Sequence, residues 1–292
     1  MKNWRKGDIF LTEKRFTKTF NRQEIMAKDI LEEIVAHKRI EVARQKEEIP
    51  PSVLYKQVED ILCDSSCVRR SMSQSLTCSS SGIIAEFKRK SPSKGWIKEE
   101  GRPDVIPPSY DANGASAISI LTDEHYFGGC MDFITTARPL VSCPILRKDF
   151  IIDDYQLFQA KAIGADAVLL IAADLTKAEC ASLAKTAHEL QLETLLEVHS
   201  EQELDYAGEN IDMVGVNNRN LGTFHTDVAT SFRLASLLPQ DFLLVSESGI
   251  SSADTVKELR KAGFRGFLIG ETFMKTADPG SALNDFIHDI IS

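Results

Sequence analysis

From Ile83 onward the chain alternates, and that alternation limits the fold more than any other feature. Short β-rich runs occupy 83–88, 117–121, 144–148, 167–171, 194–198, 213–216, 242–246 and 266–269. Segments of helical character lie between them, such as DDYQLFQAKAIGA, TKAECASLAKTAHELQ and SADTVKELRKAGF, and a helix from Asp278 closes the series. Strands that alternate with helices imply a parallel sheet. Eight such units in roughly 210 residues predict a (β/α)8 TIM barrel. A doubly wound open sheet is the alternative. No GxGxxG follows the first strand, which weighs against its dinucleotide-binding version.

The barrel is preceded by other elements. Residues 24–48 read as a helix, with Ile30 and Ile34, and Leu31 and Val35, at helical spacing, stopped by Pro50-Pro51. A second short helix is expected over 52–62, then a polar tract ending at Gly82. The expected layout is an N-terminal extension over 1–20 and a single barrel domain over 21–292, with its N-terminal helices within 21–80. The chain stops soon after the eighth unit, so a single activity is expected.

Composition narrows the function. A net charge of −9 argues against a general nucleic-acid binder, so an anionic substrate needs a locally basic pocket. No apolar run approaches the roughly 20 residues of a membrane span, and the basic N-terminus lacks the apolar region of a secretory signal. The six cysteines are scattered; Cys63 and Cys67 form CDSSC without a nearby His or second pair. Free thiols in a reducing cytoplasm are expected, with no metal site.

In a barrel of this kind the active site is built at the C-terminal strand ends. There the first strand offers Glu86 and Lys88, on the same face as Ile84, and then Ser91. The third offers Lys148, the fifth Glu197, the sixth Asn217 and Arg219, and the seventh Glu247. Three carboxylates and two lysines recurring at one end are not expected of scattered surface charge. The turns SESGIS and IGETFM place Ser248-Gly249 and Gly270-Glu271 just before helices, after strands seven and eight. Backbone N–H groups there are positioned for a phosphate, and Ser91 and Lys88 could add a hydroxyl and a cation. Phe127, Phe150, Leu169 and Leu221 are candidates for an apolar slot around a flat ring.

The segments IIAEFKRKSPSKGWI, ISILTDEHYFGG, PILRKDFIID, GADAVLLIAA, LETLLEVH, VGVNNRNL, SESGI and IGETFM together resemble the indole-3-glycerol phosphate synthase family. The resemblance runs from about Asn21 to the C-terminus, and KRIEVARQKEEIP resembles the family's extra helix before the barrel. It implies ring closure, decarboxylation and dehydration of 1-(2-carboxyphenylamino)-1-deoxyribulose 5-phosphate in tryptophan biosynthesis, without metal or organic cofactor. It implies that Lys148 protonates the ketone oxygen, that Lys88 is the acid of the dehydration and that Glu86 is its base. Glu197 is then an electrostatic partner or alternative base, Glu247 a supporting carboxylate, and Asn217 a ligand of the substrate hydroxyls or carbonyl region. Arg219 or Lys88 would pair with the anthranilate carboxylate. The partner is thus a phosphorylated small molecule, and a monomer is the working expectation.

Two features depart from the family pattern. Glu271 stands where some relatives have Ser, and its side chain would oppose a phosphate, so only its backbone N–H is expected to serve. The loop SKGWIKEEGRPDVIPPSYDANG is long, with Pro107-Pro108 read as preceding the second barrel helix. It is expected to lie over the mouth and gate turnover. The competing functions are another phosphate-binding barrel enzyme, such as an isomerase of the same pathway, and a non-catalytic barrel protein.

Overall fold

The computed structural model describes residues 22–65, 68–220, 225–238 and 241–292, with side chains from residue 30 onward. The extension expected over 1–20, Cys67 and Leu221 lie outside the described residues.

Eight parallel strands close into a barrel in sequential order. They are β1 (Ile83–Phe87), β2 (Ala117–Leu121), β3 (Ile145–Lys148), β4 (Ala167–Ile171), β5 (Glu193–Val198), β6 (Met213–Asn217), β7 (Leu243–Glu247) and β8 (Phe264–Ile269). The last strand returns to the first, with Ile84 opposite Leu268. Alternation along each strand sorts the side chains into two layers. In β1, Ala85 and Phe87 join the outer core between strands and helices. Ile84 joins the inner core with Leu146, Leu169, Leu195, Met213, Val245 and Leu268. The open-sheet alternative is thereby excluded.

Three helices precede the barrel: α1 (Arg22–Glu48), α2 (Pro51–Cys63) and α3 (Met72–Cys78). Pro51 ends the first run and also opens α2 at its first turn, where a missing N–H costs nothing. The polar tract expected before Gly82 instead contains α3. Ser71 caps it by accepting from Gln74 N at 3.0 Å. Glu193, at the start of β5, accepts from Met72 N at 2.6 Å and Ser73 N at 2.9 Å. These bonds fix α3 beneath the barrel, where Met72 and Leu76 enter the inner core. Each such fully buried side chain contributes about 2 kcal/mol. A seven-residue helix with two apolar positions is too short to register as a periodic pattern.

Eight further α-helices follow among the described residues, α4 (Ile106–Ala112), α5 (Met131–Ala137), α6 (Asp154–Ala162), α7 (Lys177–Glu189), α8 (Ala229–Ala235), α9 (Ala253–Lys261), α10 (Glu271–Met274) and α11 (Pro279–Ile291), with a 3-10 helix after β5 (Glu201–Tyr206). Pro107 and Pro108 lie inside the first turn of α4, the first barrel helix, correcting the expectation that they precede the second.

Helix α1 docks through a buried charge. Val35, Lys38 and Val42 share its inner stripe. Lys38 Nζ lies 2.9 Å from Asp149 Oδ1, 3.0 Å from Asp123 Oδ2 and 2.9 Å from Glu41 Oε2. Asp149 also meets Arg147 Nη2 at 3.0 Å and Thr122 Oγ1 at 2.6 Å. The helix is therefore bonded to the C-terminal ends of β2 and β3, where it brings Ile30, Leu31 and Ile34 to the rim of the central cavity.

Candidate active site

That cavity measures about 440 Å³ and opens at the C-terminal end of the barrel. Every site residue named from the sequence lines it, except Leu221, which lies outside the described residues. Glu86, Lys88 and Ser91 come from β1 and the turn after it, and Lys148 and Phe150 from the end of β3. Phe127 comes from the β2–α5 loop, Leu169 from β4 and Glu197 from β5. Asn217 and Arg219 come from β6 and the residues after it, and Glu247, Ser248 and Gly249 from β7 and its turn. Gly270 and Glu271 follow β8.

The lysines sit in two separate clamps. Lys88 Nζ is 2.5 Å from Glu86 Oε1. Lys148 Nζ is 3.0 Å from Glu247 Oε2 and 3.2 Å from Glu197 Oε2. Its side chain is 15 % exposed, against 4 % for Glu197 and 1 % for Glu247, so the lysine is the most accessible of the three. Burial pulls the Lys148 ammonium down, but Glu247, Glu197 and Glu86 outweigh it and hold it above the ordinary lysine value. Burial pushes Glu197 up; Lys148, His199 and Asn217 overcome that and hold it well below the usual carboxylate range. Glu247 is pushed up to about 7, by burial first; Lys148 opposes this, and Glu197 and Glu86 add to it. The two carboxylates on one lysine are thus shifted in opposite directions, the pattern by which environment separates acid and base roles.

The glycines make room for these groups. A Cβ at Gly270 would collide with Glu86 Oε1, and one at Gly215 with Glu247 Oε1. Gly270 has φ −118°, so its lack of a side chain serves a neighbouring carboxylate and not an unusual backbone angle. The turn after β7 is different. Ser248 and Gly249 both take positive φ, 67° and 76°, which is uncommon for a serine and turns successive backbone groups toward one side. Asn218 holds this turn: its Nδ2 donates to Ser248 O at 3.0 Å and to Ser246 Oγ at 3.1 Å.

Glu271 also faces the cavity, where its side chain is taken by Lys94 Nζ at 2.5 Å. The expected opposition to an anion is therefore partly cancelled. Lys275 adds a further cation to the lining. On the other side the rings of Phe127 and Phe150 stand 6.0 Å apart. Of the long loop after β1, residues 91–94 line the cavity, and Arg219 Nη1 holds Ser93 Oγ at 2.9 Å. The stretch from Lys98 to Ile106 borders a different groove, beside 277–280, so the expected cover over the mouth is limited to the first turn of the loop.

Sequence reasoning missed Lys94, Lys275, Asp149, Asn218 and His199. Lys38 was missed too, although it falls three residues after Val35 and four before Val42 on an apolar stripe. No local pattern marks Asn218.

The fold and this cavity define a (β/α)8-barrel enzyme whose pocket is lined by lysine–carboxylate pairs beside two strand-end turns. Solved structures of the same fold include thiamine phosphate pyrophosphorylase from Pyrococcus furiosus (TM-score 0.55, 16% identity, 73% of this chain and 98% of that one). Another is the tryptophan synthase complex from the same organism (TM-score 0.52, 14% identity, 72% and 97%). The family model for indole-3-glycerol phosphate synthase matches residues 31–286. An indole-3-glycerol phosphate synthase of Bacteroides thetaiotaomicron is 62% identical over 263 residues, covering 90% of this chain and 99% of the relative. One from Acidithiobacillus ferrooxidans is 43% identical over 265 residues, covering 89% and 99%. The chain belongs to the indole-3-glycerol phosphate synthase family, carboxy-lyases of tryptophan biosynthesis.

Proposed function

We propose that the chain performs the family's reaction with its two lysine clamps acting in turn. The substrate is 1-(2-carboxyphenylamino)-1-deoxyribulose 5-phosphate, and the products are indole-3-glycerol phosphate, CO2 and water. The aryl carbon bearing the carboxylate attacks the ketone, and Lys148 protonates the oxygen on which charge develops. CO2 leaves and restores the electron pair to the ring. The new hydroxyl then departs as water, protonated by Lys88, while Glu86 takes the ring proton and the aromatic indole forms. An acid and a base held 2.5 Å apart suit a step that needs both at one carbon–carbon bond.

The observation that carries this reading is the separation of the two clamps, each lysine with its own carboxylates, on the wall of one cavity. Glu197 and Glu247 hold Lys148, and Asn217, which donates to Glu197 Oε1 at 3.0 Å, is assigned to the substrate hydroxyls or carbonyl region. Arg219 or Lys88 pairs with the anthranilate carboxylate. Phe127, Phe150 and Leu169 form the slot for the aromatic ring. The phosphate goes to the turns at Ser248-Gly249 and Gly270-Glu271, with Ser91 and Lys88 at its edge. The positive-φ turn supports this assignment, as does Lys94, which masks the Glu271 carboxylate.

Among the described residues no helix is long and apolar enough to cross a membrane. Cytoplasmic residence fits the free Cys63, Cys78, Cys130, Cys143 and Cys180. The working unit is a monomer formed by the single domain 21–292, since one chain supplies all the residues assigned above. Mixing purified protein with the substrate and following indole fluorescence, beside Lys148→Ala, tests the function. A rise that collapses in the variant is expected; folded wild type that binds substrate without any rise would refute the assignment.

A further inference from the structure

Glu197 and Glu247 lie at nearly equal distances from one ammonium, 3.2 and 3.0 Å, yet their surroundings differ. Glu247 Oε1 has no hydrogen-bond partner among the described residues. Glu197 Oε1 accepts from Asn217 and also stands 3.2 Å from His199 Nε2. Strand alternation puts His199, two residues on, on the same side as Glu197. The other face of the imidazole meets an anion too. Glu203, on the 3-10 helix after β5, places Oε2 3.4 Å from His199 Nδ1. That carboxylate is itself fixed, accepting from His199 N at 2.7 Å and from Ser200 Oγ at 2.9 Å. Asp174, after β4, also feels the ring: burial first and then Glu197 push its carboxyl up to about 7, and His199 opposes them.

Burial works against charge on this imidazole, but Glu197 and Glu203 prevail and raise it to about 10. Among the described residues neither ring nitrogen has a hydrogen-bond partner, so Glu197 and Glu203 act on the ring as ions at 3.2 and 3.4 Å and favour its charged form, whereas Glu247 is ion-paired there with Lys148 alone. Two equivalent carboxylates sharing one lysine would compete for a proton and titrate as a pair. A second cation beside one of them removes that degeneracy.

We propose that His199 is a positioning residue for the reaction: clamped by Glu203, it locks the Glu197 carboxylate onto Asn217 and Lys148 and makes Glu197, not Glu247, the standing counter-ion of the acid. This rests on the reading of Lys148 as the acid. His199 touches neither substrate nor the reacting atoms. It acts through Glu197 alone, and Glu203 acts through His199.

The test is the pH dependence of kcat and KM for wild type, His199→Asn, His199→Ala with and without added imidazole, and Glu203→Gln. Losing a cation beside carboxylates favours their protonated forms, so the acidic limb of kcat should move to higher pH. In His199→Asn the expected result is a limb raised by about one pH unit and kcat lowered roughly tenfold at pH 7, with KM little changed. Glu203→Gln should move the limb the same way by less. Imidazole should restore His199→Ala toward wild type. A lower melting temperature with an unmoved limb and no imidazole rescue would overturn the proposal and leave His199 a packing residue. If Lys148→Ala kept wild-type turnover, the acid assignment would fail instead, whatever His199 did to the limb.

Discussion

Replacing Lys38 with methionine tests whether the buried ion cluster holds α1 on the barrel. Methionine keeps the length and apolar stem of lysine and removes only the charge. The Lys38 ammonium is 1 % exposed and lies within 3.0 Å of three carboxylates, two of them, Asp123 and Asp149, as buried as itself. Removing one partner of a buried pair leaves an uncompensated charge and costs about 3–5 kcal/mol. Asp149 would keep Arg147 and Thr122. Asp123 would keep only the backbone N–H groups of Tyr126 and Phe127, at 2.8 and 3.2 Å. The lower half of the range is therefore expected, roughly 10 °C in melting temperature for a domain of this size.

The same variant has a pH signature. Burial pushes the Asp149 carboxyl up, but Lys38 and Arg147 outweigh it and hold it down at about 2, below its ordinary 3.8. A depressed carboxyl contributes stability above its unfolded value and loses it as pH falls through the folded value. Wild type should lose this contribution between about pH 4 and 2. Lys38→Met should lack most of it already at neutral pH. Thermal melts at pH 7, 4 and 3, with KM measured in parallel, give the answer. KM should rise, because α1 carries Ile30, Leu31 and Ile34 to the cavity. A variant melting within 2 °C of wild type, with unchanged KM, would refute the reasoning.

Two further substitutions probe the site. Gly270→Ala puts a Cβ against Glu86 Oε1 and must displace that carboxylate, so kcat should fall about a hundredfold while the melting temperature changes little; unchanged kcat would show that Glu86 is not needed where it stands. Glu247→Gln should flatten the pH dependence of stability between about pH 4.5 and 7. The wild-type carboxyl, raised from 4.5 to about 7, favours the fold most at low pH and loses that contribution as pH rises through 7. Identical slopes in the two proteins would contradict the raised value.

The parts of this architecture legible in the sequence were those with a period. Every barrel strand was found within one or two residues, because buried parallel strands read as short apolar runs bounded by turns; the antiparallel pair Lys90–Ser91 and Gly95–Trp96 was not. Glu86, Lys88, Lys148, Glu197 and Glu247 were found because charge at a strand end is conspicuous. Helix α3 was not, since its two buried residues, Met72 and Leu76, make too little of a pattern and its anchor, Glu193, is more than a hundred residues away. Gly270 was read as a phosphate turn, and its contact with Glu86 depends on strands β1 and β8 meeting at barrel closure. Asn218 owes its place to partners on other elements, so no local spacing could have revealed it, whereas His199 stands two residues after Glu197 and four before Glu203.

The central claim is that two lysines divide one reaction, Lys148 serving ring closure and Lys88 serving dehydration. The direct measurement is a single turnover with excess enzyme, following CO2 release and indole fluorescence together, for wild type, Lys148→Met and Lys88→Met. Lys148→Met should release neither CO2 nor indole. Lys88→Met should release CO2 at a rate near wild type while fluorescence lags, as the decarboxylated hydroxy intermediate accumulates. Loss of both signals to the same extent in Lys88→Met would contradict the division of roles.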